Sequence, residues 1–380
     1  MRKIFFIAII VILVSCQTKK SDNKNAFYYW KTSFSFDSYD DSIAKSLNVN
    51  TFYIRYLDVD WSEAYGWAVP KATLTISNYD DYIIPENIIP CVFITNQVFV
   101  NITKDRLNEL ADKISKLIES KNIEFARDYA YKSNNDDESW NDLPVEEQQQ
   151  KQNLANITEQ NKWLDNIKEI QIDCDWTPST KDKYFEFLKL IKKKIGKRNL
   201  SATLRLWQFK NIKIAGVPPV TRCMLMCYSL SSPKEYNTPN SIFTIDEFKK
   251  YLSNETYPLA LDYALPVYNW GILFRNKQFK GIIGEIDEID IKIDTITYRK
   301  ISENVYSFKT DTVMNNTYIR YGDEIRIESV STAELTELAN FIIKNDSYTK
   351  DSKISFFSWD NIYIYNYGTE NLSKIYKIFH

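Results

Sequence analysis

Short apolar runs alternate with amphipathic stretches along this chain, and the clearest runs end on aromatic or acidic side chains. Phe27-Tyr-Tyr-Trp-Lys-Thr-Ser-Phe34 is the first, an aromatic segment of strand character. Residues 51–57 follow and close on Asp58, Asp60 and Trp61, and residues 88–95 form the third run. The fourth, Ile170-Gln-Ile-Asp-Cys-Asp-Trp176, sets Asp173 and Asp175 two residues apart, so an extended backbone turns both toward one face. Segments 200–207, 222–228, 259–268 and 354–360 complete eight strand candidates.

Between them the period changes to that of a helix. Leu107, Leu110, Ile114, Leu117 and Ile118 share a face in 103–120, and Tyr184, Leu188, Ile191 and Ile195 do so in 179–195, where Gly196 supplies a C-terminal stop. Thr244 with Glu247, and Ser331 with Glu334, have capping-box spacing; the second precedes Leu335, Leu338 and Ile342. A last helix is predicted over 371–379. Strands followed by helices predict an α/β chain, a single (β/α)8 barrel over 26–380. Three stretches depart from the rhythm. No helix is evident in 64–90. Segment 132–162 is rich in Asn, Asp, Glu and Gln and predicts a solvated excursion with one short helix. Residues 284–330 alternate, as in Ile289-Asp-Ile-Lys-Ile and Glu324-Ile-Arg-Ile-Glu, and predict a strand-rich insertion after the seventh strand.

The first sixteen residues belong to another pattern. Arg2 and Lys3 precede an apolar run over 4–14, too short for a spanning helix of roughly 20 residues, and Leu13-Val-Ser-Cys16 follows. This resembles a bacterial lipoprotein signal, which implies a lipidated Cys16, a polar tether over 17–25 and a place at the cell envelope, attached to the membrane through the lipid. Whether the protein faces the periplasm or the exterior stays open.

Charge is balanced, 48 basic against 50 acidic residues, with no basic block, which argues against a nucleic-acid partner. The one histidine, His380, excludes a Ser-His-Asp or Cys-His engine and a multi-histidine zinc site, and no metal or cofactor is predicted. Cys91, Cys174, Cys223 and Cys227 each lie in an apolar run and read as buried thiols. Aromatics make up 15 % of the chain, a supply suited to stacking on sugar rings.

A barrel of this kind builds its site at the C-terminal ends of the strands. Those ends supply Trp30, Asp58, Asp60, Asp173, Asp175, Arg205, Trp207, Tyr228, Tyr268, Trp270, Trp359 and Asp360. Carboxylates among aromatics point to a carbohydrate, an oligosaccharide or polymer, bound and conceivably cleaved by paired acids.

Ile172-Asp-Cys-Asp-Trp176 resembles the fourth-strand signature of family 18 glycoside hydrolases, the chitinase-like barrels, whose pattern is Asp-x-x-Asp-x-Asp-x-Glu. Met226-Cys-Tyr228 is similar to that family's Met-x-Tyr, Ala264-Leu-Pro-Val-Tyr268-Asn-Trp-Gly271 to its Gly-Leu-Pro-x-Tyr-Gly, and Phe356-Phe-Ser-Trp359-Asp360 to its last strand, where a tryptophan floors the sugar subsite. The resemblance implies that Asp175, helped by Tyr228, holds the substrate's acetamido group, with Asp173 beside it. It also marks a departure. The first acid of the pattern falls on Ile170 and the proton-donating glutamate on Thr177, whose hydroxyl is no acid at neutral pH; general acid catalysis contributes about 10²- to 10⁴-fold. Three readings follow: a hydrolase using Asp173 or Asp175 with Asp58 or Asp60, a silent barrel that binds glycan on Trp30, Trp270 and Trp359, or a scaffold whose insertion meets a partner.

Overall fold

The computed structural model describes residues 24–76, 82–134, 143–252, 256–284, 286, 288–345 and 347–379; the signal, Cys16 and residues 17–23 of the tether lie outside them. Eight parallel strands close on themselves: β1 (Asn25–Tyr29), β2 (Thr51–Ser62), β3 (Asn87–Ile94), β4 (Glu169–Asp173), β5 (Asn199–Arg205), β6 (Arg222–Met226), β7 (Ala260–Pro266) and β8 (Ile354–Phe357). β1 seals the ring, pairing Ala26–Tyr29 with Thr51–Ile54 on one side and Asn25–Phe27 with Ile354–Phe356 on the other. The chain is a (β/α)8 barrel. Asn25, expected to end the tether, is instead the buried first residue of β1.

Helices pack outside the ring, and those over 107–134, 181–194, 245–251, 332–342 and 369–379 fall where the period and caps predict them. The helices include α1 (Ser38–Ser46), α2 (Leu107–Asn134), α3 (Val145–Asn166), α4 (Lys181–Lys194), α5 (Leu206–Lys210), α6 (Ile245–Tyr251), α7 (Thr332–Ile342) and α8 (Thr369–Phe379). The Thr244 side chain accepts from Glu247 N, and the Ser331–Glu334 box closes in both directions. Gly196 takes φ +66 just past α4, the left-handed position that favours glycine.

The irregular stretches resolve differently. The second unit has a hairpin in place of a helix: β2 runs on to Ser62 and returns as the antiparallel strand Trp67–Thr73. The run 27–34 splits, with Ser33–Phe34 pairing Thr75–Ile76 apart from the barrel. In the described part of the polar segment 132–162 a long helix stands in place of a short one; α3 spans 22 residues and lies against α2. Its sequence hid this because only Trp163 is buried. That indole stacks on Phe125 at 6.1 Å and donates through Nε1 to Pro85 O at 3.2 Å.

The insertion begins earlier than 284. Trp270–Arg275 and Gln278–Gly284 already belong to its five-stranded antiparallel sheet, with Glu324–Glu328, Val305–Phe308 and Tyr298–Lys300 completing it. Its own core contains Leu273, Tyr306, Phe308, Ile325 and Ile327. Within it Glu288–Ile293, read as a strand from its alternation, is a short helix. Six alternating residues fit either period, and tertiary context chose.

Trp163→Ala should cost about 3–5 kcal/mol, the usual range for emptying a buried aromatic site. Because Trp163 is the one buried side chain of α3, limited proteolysis of the variant should cut first within 145–166, and denaturant unfolding should record the loss.

Candidate active site and aromatic groove

β4 ends on Asp173 and Asp175 follows two residues beyond it; burial separates the two acids. Asp173 is 7 % exposed, and Thr203 of β5 donates to its Oδ1 at 2.6 Å. Burial, and next the negative charge of Asp175, push its carboxyl up to about 7; the Thr203 donor and the Arg205 charge offset this in part. Asp175 stands at the rim, its side chain 42 % exposed, and its Oδ2 accepts from Arg205 Nη1 at 2.6 Å. One carboxyl is therefore a proton holder near neutral pH and the other a partly solvated ion-pair partner.

Thr177 is committed to the turn that enters α4. Its backbone N–H donates to Thr180 Oγ1 at 3.0 Å, and its hydroxyl lies 2.9 Å from Ser179 Oγ. Thr180 in turn donates to Asn96 Oδ1 at 2.6 Å. No carboxyl stands at this position.

Beside the acids runs an aromatic groove. Phe357 is its centre: Tyr228 stacks on it at 5.1 Å, and Trp30 and Tyr268 approach it at 5.6 and 5.7 Å. Tyr268 then meets Trp270 edge-on at 5.4 Å. Two clefts share Tyr228, Ser229 and Trp270 as walls. One, of about 480 Å³, adds Arg205, Trp207 and Tyr251; the other, of about 390 Å³, adds Trp30, Phe357, Tyr268 and Tyr363. Trp207 is 42 % exposed at the outer end. Arg205 joins groove to acid pair. Burial, foremost, raises the Tyr228 and Tyr268 hydroxyls well above the usual phenol range, so both remain protonated donors at neutral pH.

No protein-family model matches the chain, and no curated protein matches it either. Among solved structures it is similar to the spore cortex-lytic enzyme SleL of Bacillus cereus, at 13 % identity and TM-score 0.44, over 93 % of this chain and 75 % of that one. It is similar also to a xylanase and alpha-amylase inhibitor protein from Scadoxus multiflorus, at 12 % identity and TM-score 0.37, over 92 % and 97 % of the two chains. A third is XAIP-I, an inhibitor protein of the same description in complex with trehalose, at 11 % identity and TM-score 0.37, over 94 % and 98 %.

Four predicted site residues serve the framework instead. Trp359 is 1 % exposed; its ring packs on Phe27, Phe36 and Phe52 and its Nε1 donates to Asp40 Oδ1 at 3.0 Å. Trp359 and Asp360 border the smaller cleft, but the Trp359 ring is covered by these neighbours. Asp360 caps the helix Asn361–Tyr367 through Ile362 N and pairs with Lys31 at 2.8 Å. Asp58 is held by the Arg55 guanidinium through both Nε and Nη2, and Asp60 accepts from Thr95 Oγ1 at 2.5 Å and from Trp61 N at 2.8 Å. Strand parity would have found Phe357. Phe356 packs outward on Phe27 and Tyr376, so its neighbour faces inward; beyond Phe357 the strand has ended and alternation no longer predicts direction.

The Asp173 carboxyl makes a signed prediction. An unfolded aspartate titrates near 3.9, so from about pH 4 to 7 the native chain binds the extra proton and stability falls as pH rises; the penalty is complete above pH 7, up to about 4 kcal/mol. Asp173→Asn keeps an acceptor for Thr203 and should be the more stable protein at pH 8, with a flatter stability profile between pH 4 and 7 in urea titrations.

Proposed function

We propose that this chain is a carbohydrate-binding barrel, resembling the family 18 glycoside hydrolases in its site but not equipped with their acid. One observation carries the reading: rings wall the two adjoining clefts, Trp30, Phe357, Tyr228, Tyr268 and Trp270 in contact with one another and Trp207 beyond them, and the family resemblance sets Thr177 at the place of the proton donor. Rings offer apolar faces to the C–H surface of a pyranose, and hydroxyls need donors and acceptors at the edge. Tyr228, Ser229 and the Arg205–Asp175 pair supply these. In this reading Asp175 bears on the ligand through Arg205, which lines the larger cleft, and the buried Asp173 beside it is a proton holder rather than an acid for the leaving oxygen.

Hydrolysis is the second reading, and Asp173 is the observation in its favour, since a carboxyl raised to about 7 carries a proton at neutral pH. Its burial under Thr203 and its absence from the walls of both clefts favour binding instead.

Anchoring through a lipidated Cys16 at the bacterial envelope completes the proposal, because a tethered binder works where polymers arrive. No helix among the described residues is long and apolar enough to cross a membrane.

Calorimetry with a panel of soluble hexose and N-acetylhexosamine oligosaccharides tests the binding site. Trp270→Ala should weaken binding by about 2 kcal/mol or more, some thirtyfold in Kd, as for a central aromatic anchor; equal affinity in wild type and variant would sink the assignment. Reducing ends released by wild type and lost in Asp173→Asn would transfer the chain to the hydrolase reading. For the anchor, Cys16→Ser should move the exported protein from the detergent-rich to the aqueous phase on phase separation.

A further inference from the structure

The small sheet reaches the groove through one buried ion pair. Arg326 and Glu328 are each 1 % exposed, and Arg326 Nε donates to Glu328 Oε1 at 2.7 Å. The rest of the guanidinium is spent on one segment of chain: Nη1 donates to Glu235 O and Tyr236 O, both at 2.8 Å, and Nη2 to Pro233 O at 3.1 Å. Glu328 Oε2 accepts three bonds, from Ser241 N at 2.9 Å, Ser241 Oγ at 2.5 Å and Trp270 Nε1 at 2.8 Å. The segment from Ser229 to Ser241 supplies Ser229, Ser231 and Pro233 to the larger cleft, and Trp270 walls both clefts.

A buried ion pair is a poor source of stability, since apolar residues of similar volume serve as well or better. Here its remaining hydrogen-bonding capacity goes to the two walls of the groove. We propose that Glu328, held in place by Arg326, is the positioning residue of the groove. It fixes the plane of the Trp270 ring and the path of 229–241, so the small sheet sets the groove's width and thereby which oligosaccharide enters. The ligand in this statement rests on the glycan-binding reading; the positioning rests on the hydrogen bonds alone.

Glu328→Gln preserves shape but replaces an acceptor by an N–H2 group, which must confront either Arg326 or the Ser241 and Trp270 donors. In the full chain, the Trp270 indole N–H resonance should shift and hydrogen exchange over 229–241 should rise about tenfold, while amides of β4 to β6 keep their protection. Affinity for the oligosaccharide that wild type binds best in the same panel should fall about tenfold. Ser241→Ala, a milder change that removes one donor to the same oxygen, should move all three readouts in the same direction and serves if the first variant does not fold. Glu324→Gln removes a charge on the same sheet but keeps an acceptor for Tyr236, does not touch Trp270 and should leave affinity within about twofold. Unchanged resonance and exchange, or unchanged affinity, in Glu328→Gln would overturn the proposal. Absence of any glycan binding in wild type would instead defeat the functional reading, and resonance and exchange would still decide the positioning.

Discussion

Closure of the parallel sheet at β1 is the constraint on which the rest depends. Residues 25–29 bond to β2 on one edge and β8 on the other, so residues more than three hundred positions apart become neighbours. A closed sheet has no edge, and parallel strands deliver all their C-terminal ends to one rim. The seam is filled by large rings: Phe27 touches both Phe356 and Trp359, and Trp359 also touches Phe36 and Phe52. That explains the loss of Trp359 as a binding platform. Its indole is needed to close the barrel wall, and Phe357 is left facing the groove.

Inside the ring the side chains are unusually polar. Tyr28 donates to Gln171 at 2.6 Å, Asp173 accepts from Thr203, and Asp262 is buried beside Arg222 at 2.7 Å. Burial disfavours the charged form of a carboxyl, and Asp173 and Asp262 are raised to about 7 and about 6 despite their partners. In the Asp262 pair desolvation outweighs the attraction of Lys353 and Arg222. The same physics separates Asp173 from Asp175: two residues along a strand carry one carboxyl from the barrel interior to the rim, where solvent and Arg205 stabilise its charge.

The groove is a joint product of barrel and small sheet. Trp30, Tyr228, Tyr268 and Phe357 come from strand ends, but Trp270 begins the small sheet and is tied back to it through Glu328. Gly271 follows because no side chain fits there: a Cβ would lie 2.4 Å from Ile325 Cδ1. The wall and the sheet behind it are therefore packed as one unit.

The sequence by itself determined the alternation of strand and helix, the capping boxes at Thr244 and Ser331, the order of the eight strands and the strand-end positions of Asp175, Arg205, Tyr228 and Trp270. These follow from local period and from the parity of single strands. Only the tertiary structure decided which rim residues are open to the clefts and which are committed to other partners. Asp60 is matched by Thr95 and Trp359 by a ring cluster through three-dimensional approach, whereas Asp58 meets Arg55 three residues away and Asp360 caps the helix that follows it. It also decided that α3 is a long helix, that Glu288–Ile293 is not a strand and that Glu328 reaches Trp270 across 58 residues. The physical reason is common to all of them: local pattern fixes the direction of a side chain within its element, while burial and hydrogen-bond partners depend on what the closed barrel brings against it.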